Sequence, residues 1–239
     1  MKKISPVRVI MKRELSAWFS SFVGWLVTGL FLLLNGLFFF STFFLSQRAD
    51  LRNMFSFMPI WFALFIPPVT MRLFAEENRS GSIETLMTLP VSTMQVVLGK
   101  YFAALISCIA MIAPTLLYVV VACIYGDPDF GPIIGGYIGS VFLAASFCAI
   151  GVFASSTSKN QIVAFIICFV ICIFLATIDM FLILIPSSLT SFLTFFSAGT
   201  HFESVSRGIV DSRDLIYFIS LTAVFLGLTI KTENARRTM

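Results

Sequence analysis

Charge is what this sequence has least of. Asp, Glu, Lys and Arg make up 12% of its 239 residues, against roughly 25% in soluble domains. A water-facing globule of this size needs a wetted surface, so the shortage excludes one, and the 58% hydrophobic content must largely face lipid. Histidine occurs once, at His201 beside Glu203, and one ring with one carboxylate falls short of the three or four ligands of a zinc site. All five cysteines (Cys108, Cys123, Cys148, Cys168 and Cys172) lie in apolar stretches. Cys168 and Cys172 share a helix face, but no histidine or carboxylate joins them, so we read the thiols as small buried hydrophobes without a metal or disulfide role. No Gly-x4-Gly-Lys-Ser/Thr stretch occurs, so the chain offers no phosphate-binding loop and no cofactor of its own. No basic surface is interleaved with aromatics, which argues against nucleic acid as a partner.

What remains is a series of apolar windows, at 19–45, 55–74, 101–125, 133–155, 161–185 and 215–230. Each is near the length of a membrane-spanning helix. The last is short and needs Asp214 and Lys231 at its interfaces, or an earlier start. The first is too long for the apolar core of a signal peptide, and no small-x-small cleavage site follows it. Six spans put both ends on one side. With the N-terminus inside, 12 basic residues fall on inner segments, while only Arg48, Arg52, Arg207 and Arg213 fall outside, which predicts N-in, C-in. The expected fold is therefore an all-α integral membrane protein forming a single transmembrane domain over 1–239.

Local patterns add detail. Over 4–18, Val7, Ile10, Met11, Leu15 and Trp18 recur at helical spacing opposite Arg8, Lys12, Arg13 and Ser16, the mark of an amphipathic helix at the membrane surface. The fourth window carries small residues every four positions, Gly131, Gly135, Gly139 along one stripe and Gly136, Ser140, Ala144, Cys148 along the next. Such stripes let another helix backbone approach, so we read Gly135, Gly136, Gly139 and Ser140 as packing residues, within the subunit or across a dimer. Asp179 falls about 30 Å beyond Lys159 along a helix, at the outer interface, and Asn35 is left open between packing and substrate contact.

The segment after the second window is polar but patterned. Glu76 and Glu77 need basic groups nearby, and Arg72 and Arg79 are within helical reach; solvating the helix end and docking a partner both fit. Gly81 breaks the descending helix, Ser82 is placed as an N-cap, and Glu84 enters the first turn of a new one. Ile83, Leu86, Met87 and Leu89 then form an apolar side, which Pro90 ends. That side needs something in the cytosol to bury it.

The run Arg72 to Ser92, followed by Val96-Val97-Leu98-Gly99-Lys100, resembles the signature of ABC-2 type transporter permeases. It has paired glutamates, a glycine, Glu-x-Leu, Leu-Pro-Val-Ser, and Gly-Lys opening the third span. Phe202-Glu203-Ser204-Val205-Ser206-Arg207-Gly208-Ile209-Val210-Asp211 is similar to the pattern before the last span in the subgroup associated with gliding motility and nitrous-oxide-reductase maturation. The resemblance implies a six-helix exporter subunit of a bacterial cytoplasmic membrane. It would pair with a second permease subunit and dock onto a cytosolic ATP-binding-cassette ATPase that holds the ATP and magnesium. By that likeness 76–99 is the coupling region, with Glu76, Glu77, Arg79, Ser82, Ile83, Glu84, Leu86 and Met87 meeting the ATPase. The N-terminal amphipathic helix is a connecting helix, and 186–214 is external and partly re-entrant. The alternatives are a membrane enzyme acting on lipid, for which only 201–214 gathers polar groups, and an energy-independent channel or scaffold.

Overall fold

The computed structural model describes residues 5–46, 51–82, 91–184, 194–208 and 211–237, and among these every regular element is helical. Six helical stretches are long and apolar enough to cross a membrane: Phe22–Phe43, Met58–Ser80, Thr93–Tyr125, Phe130–Thr157, Gln161–Phe181 and Ser212–Arg237.

Helix α1 (Pro6–Phe19) opens with Pro6 in its first turn, where a missing N–H is harmless. Ile10 and Trp18 are buried, while Arg8, Lys12, Arg13 and Ser16 face out. Its inner stripe lies along the start of α6 (Thr93–Ile112). Gly99 makes that approach possible, because a Cβ there would come within 2.9 Å of the Ile10 side chain. After a break at Ser20 and Ser21, α2 (Phe22–Ser46) forms the first span. Phe22, Trp25, Leu33 and Leu37 face outward and Phe31, Asn35 and Phe39 inward. Asn35 donates to the Phe31 carbonyl of its own helix at 2.9 Å.

The second span is assembled from pieces. Short α3 (Arg52–Ser56) leads into α4 (Met58–Thr70), which carries Pro67 and Pro68, and α5 (Arg72–Ser80) follows at Met71. The two prolines remove two helix hydrogen bonds, and further along a serine from another helix ties the junction at Met71. The Ser155 hydroxyl donates to the Met71 carbonyl at 2.8 Å and accepts from the Phe74 and Ala75 amides at 2.9 and 3.1 Å. Next to it, the Asn78 amide donates to the Ser158 carbonyl at 3.2 Å. Gly151 leaves room for Thr70, whose hydroxyl would lie 2.1 Å from an added Cβ.

Helix α6 starts with a reciprocal cap in which Ser92 accepts from the Gln95 amide and Gln95 accepts from the Ser92 amide. The third span continues through a 3-10 turn at Ala113–Thr115 into α7 (Leu116–Tyr125). The Tyr118 hydroxyl donates to the Leu32 carbonyl of α2 at 2.9 Å. Helix α8 (Phe130–Thr157), capped by Asp129, is the axis of the bundle and touches α4, α5, α6, α9 (Gln161–Thr177), α10 (Ala198–Ser206) and α11 (Ser212–Arg237). Its small residues set those distances. A Cβ on Gly135 would meet the Val205 carbonyl at 2.3 Å, one on Gly139 the Phe202 ring at 3.2 Å, and one on Gly136 the Phe55 ring at 2.5 Å. Ser140, also buried, donates to the Gly136 carbonyl at 2.7 Å. After α9 the chain tightens into a 3-10 helix at Ile178–Leu184.

Candidate functional site

The end of the bundle where α5 stops brings together charged residues from distant parts of the sequence. Lys100 on α6 is fully buried. Its ammonium lies 3.1 Å from Glu14 on α1 and 2.9 Å from Glu77 on α5. It also donates to the Leu73 carbonyl and sits 4.9 Å from the centre of the Phe74 ring. Arg13 closes the group from outside, 2.5 Å from Glu14 and 2.6 Å from Glu77. A fully buried ammonium costs several kcal/mol to desolvate unless matched by opposite charge, and two carboxylates, a carbonyl and a ring face supply the match. The last span contributes as well: Glu233 is fully buried, pairs with Arg236 at 3.2 Å and lies within electrostatic reach of Lys100 and Glu77.

The arrangement alters the titration of Glu14 and Arg13. Burial pushes the Glu14 carboxyl upward, but the Lys100 charge and then the Arg13 contacts pull it down by more, so it sits below the usual carboxylate range. Arg13 loses some ground to burial and gains more from Glu14 and Glu77, ending above its usual value.

This cluster fixes where the chain leaves and re-enters the bundle. Helix α5 ends at Gly81, in the left-handed region at φ 72°, a conformation that favours glycine. One turn before that end, Glu77 is held by Arg13 and Lys100. On the return side, the Arg237 guanidinium reaches the Val91 carbonyl at 3.5 Å, and Ser92 caps α6. The entry to segment 83–90 is thus tied to α1 and the third span, and its exit to the last span.

A family model described as "ABC-2 family transporter protein" matches residues 24–231. The chain belongs to the ABC-2 transporter family. No curated protein sequence matches it. Membership makes this multi-pass membrane protein a permease-type component of an ABC transporter, and the family consists of transport components of the membrane.

Of the ABC-2 residues singled out from sequence, Glu76, Arg79 and Ser82 are exposed around the end of α5, and Glu77 is half-buried. Glu77 pairs with Arg13 and Lys100 where local spacing had pointed to Arg72 and Arg79; the tertiary fold brings better-placed cations. Ser82 shares a hydrogen bond with Ser80 at 2.9 Å. Ile83, Glu84, Leu86 and Met87 lie outside the described residues, as do 186–193 and 209–210 of the segment expected to be external. Gly135 and Gly139 pack on α10 and Gly136 on α3, all within the chain.

Sequence reading missed Glu14 and the structural role of Lys100. A signal was present: Glu14 falls on the same helical stripe as Ile10, Met11 and Trp18, and a carboxylate on an apolar stripe demands a partner.

Proposed function

We propose that the chain is one half of an ATP-driven exporter, with both termini in the cytosol of a bacterial cytoplasmic membrane, and that the segment from Ser82 to Leu89 is the coupling helix read by a separate ATP-binding-cassette subunit. ATP and magnesium bind on that partner, and a second permease subunit completes the pathway. The observation that carries the reading is the pinning of α5 and of the start of α6, next to that segment, by one ion cluster in a chain of ABC-2 membership. A push on 83–90 then moves α1, α5, α6 and α11 together. The partner's ATP state can bias inward-open against outward-open forms only if it contacts the two differently. Ile83, Leu86 and Met87 are the apolar knobs of that contact, and Glu76, Glu77, Arg79, Ser82 and Glu84 set its register by charge and hydrogen bonding. Glu77 serves both sides, its second role being the tie to Lys100.

The likeness of 202–211 to the subgroup linked to gliding motility and nitrous-oxide-reductase maturation supports placement there. It also supports a re-entrant external segment over 186–214. Helix α1, with its basic outer stripe, serves as the connecting helix on the inner membrane surface.

The test is copurification with the ATPase, followed by Ile83→Asp and Glu84→Lys in the reconstituted complex. Both variants should insert normally and lose substrate-stimulated ATP hydrolysis. Normal coupling in both would remove the assignment.

A further inference from the structure

At the end of the bundle away from Lys100, His201 on α10 sits in a tight polar frame. Its Nδ1 lies 2.6 Å from Asp214 Oδ1, in the first turn of α11, and its Nε2 lies 3.2 Å from the Phe195 carbonyl oxygen. The ring stacks on Tyr217 with centroids 4.2 Å apart, and the Tyr217 hydroxyl donates to the Phe196 carbonyl at 2.8 Å. The side chains of His201 and Asp214 are 16% and 9% exposed.

Both ring nitrogens therefore face oxygen acceptors. A neutral imidazole has one N–H and one lone pair. Beside an ionised Asp214 it would turn a lone pair onto an oxygen at one of its two contacts. All the contacts close only if the pair holds one proton more than a neutral ring beside a carboxylate. Since an ordinary carboxylic acid is the stronger acid of the two, that proton belongs on the ring. Asp214 Oδ2 is buried with no hydrogen-bond partner, so the ring N–H is what offsets the cost of burying this carboxylate.

Among the described residues, the other ionisable groups around α10 are paired elsewhere or exposed, apart from Asp179, whose buried Oδ1 has no hydrogen-bond partner. Glu203 pairs with Arg207 on the same helix. Asp179, after α9, lies against Gly199. Arg52 of α3 pairs with Asp129, Asp211 accepts from the Arg213 amide, and the Arg213 side chain is exposed. Tyr137 of α8 bonds to Thr115, α9 brings only the thiols Cys168 and Cys172, and α4 carries no ionisable side chain.

We propose that His201 and Asp214 form a proton-binding latch that fastens α10 to the head of the last span. With the extra proton the ring bridges Asp214 and the 195–196 backbone, and without it one contact opens. The docked state binds more protons than the released one, so docking is favoured at low pH and weakens as pH rises, by up to about tenfold per pH unit for a single proton.

The chain has one histidine, so 15N-histidine labelling of the full chain in nanodiscs gives one pair of ring-nitrogen signals. At about pH 7.5, where a free imidazole is mostly neutral, both nitrogens should be protonated, and in Asp214→Asn the ring should be neutral. Hydrogen exchange of the α10 amides, corrected for intrinsic rates, should lose protection with rising pH in the native chain and lose that dependence in His201→Gln. A neutral ring in the native chain, or protection that does not change with pH, overturns the proposal. Both native measurements hold even if a variant misfolds.

Discussion

The two ends of the bundle are held together by opposite means. Around Lys100, four helices that are distant in sequence meet through charge: Glu14, Glu77, Glu233 and Arg236 surround or adjoin one buried ammonium. Around Gly135, by contrast, α8 meets α10 through missing side chains, with the Val205 backbone pressed onto a glycine. The charged end gains register from complementary partners, and losing any one strands the others in a dry place. The glycine contact itself gains close van der Waals packing, the usual currency of helix association in lipid. The difference suits the drive from one side proposed above, in which the end that takes the push moves as a block tied by charge across four helices.

That contrast can be broken from either end, and the largest effect should come from Lys100. Lys100→Met removes the buried cation and leaves Glu14 and Glu77 with only the half-exposed Arg13. Loss of one member of a buried ion pair costs about 3–5 kcal/mol, readable as a shift in detergent-induced unfolding of the full chain; a change near zero would mean that water reaches the cluster. Gly135→Ala tests the other end. With a backbone carbonyl 2.3 Å from the new Cβ, overpacking should cost about 1–3 kcal/mol and raise hydrogen exchange in α10 more than in α5. Ser155→Ala should follow, at roughly 1–2 kcal/mol for the three hydrogen bonds lost, with the loosening centred on Met71 to Ala75.

The smallest effect is a pH dependence. Because Glu14 is held below the usual carboxylate range, its contribution is complete above that range and disappears as pH falls through the lowered value. Unfolding of the native chain should therefore become easier in acid by more than that of Glu14→Gln. Equal acid sensitivity in the two would show that the Glu14 contacts are not formed.

Six spanning helices were legible in the sequence because lipid imposes length and composition on each, and apolar windows report both. The stop at Gly81 was legible too, since a glycine between a charged turn and an apolar one has few other uses. The start of the third span at Thr93 was not: Ser92 and Gln95 form their cap among residues polar enough to pass as loop. The partners of Glu77 were hidden for a different reason. Arg13 lies 64 positions away, and helical spacing shows only neighbours on the same helix. His201 was read beside Glu203, its neighbour in sequence, whereas Asp214 reaches it from the next helix.

The central claim is that the segment after Gly81 hangs in the cytosol, where a partner can push it. The most direct measurement is labelling of Glu84→Cys, in a Cys123→Ser background, with a membrane-impermeant maleimide. The account predicts modification in inverted vesicles alone, and shielding once the ATPase subunit is bound. Modification in right-side-out vesicles would contradict it.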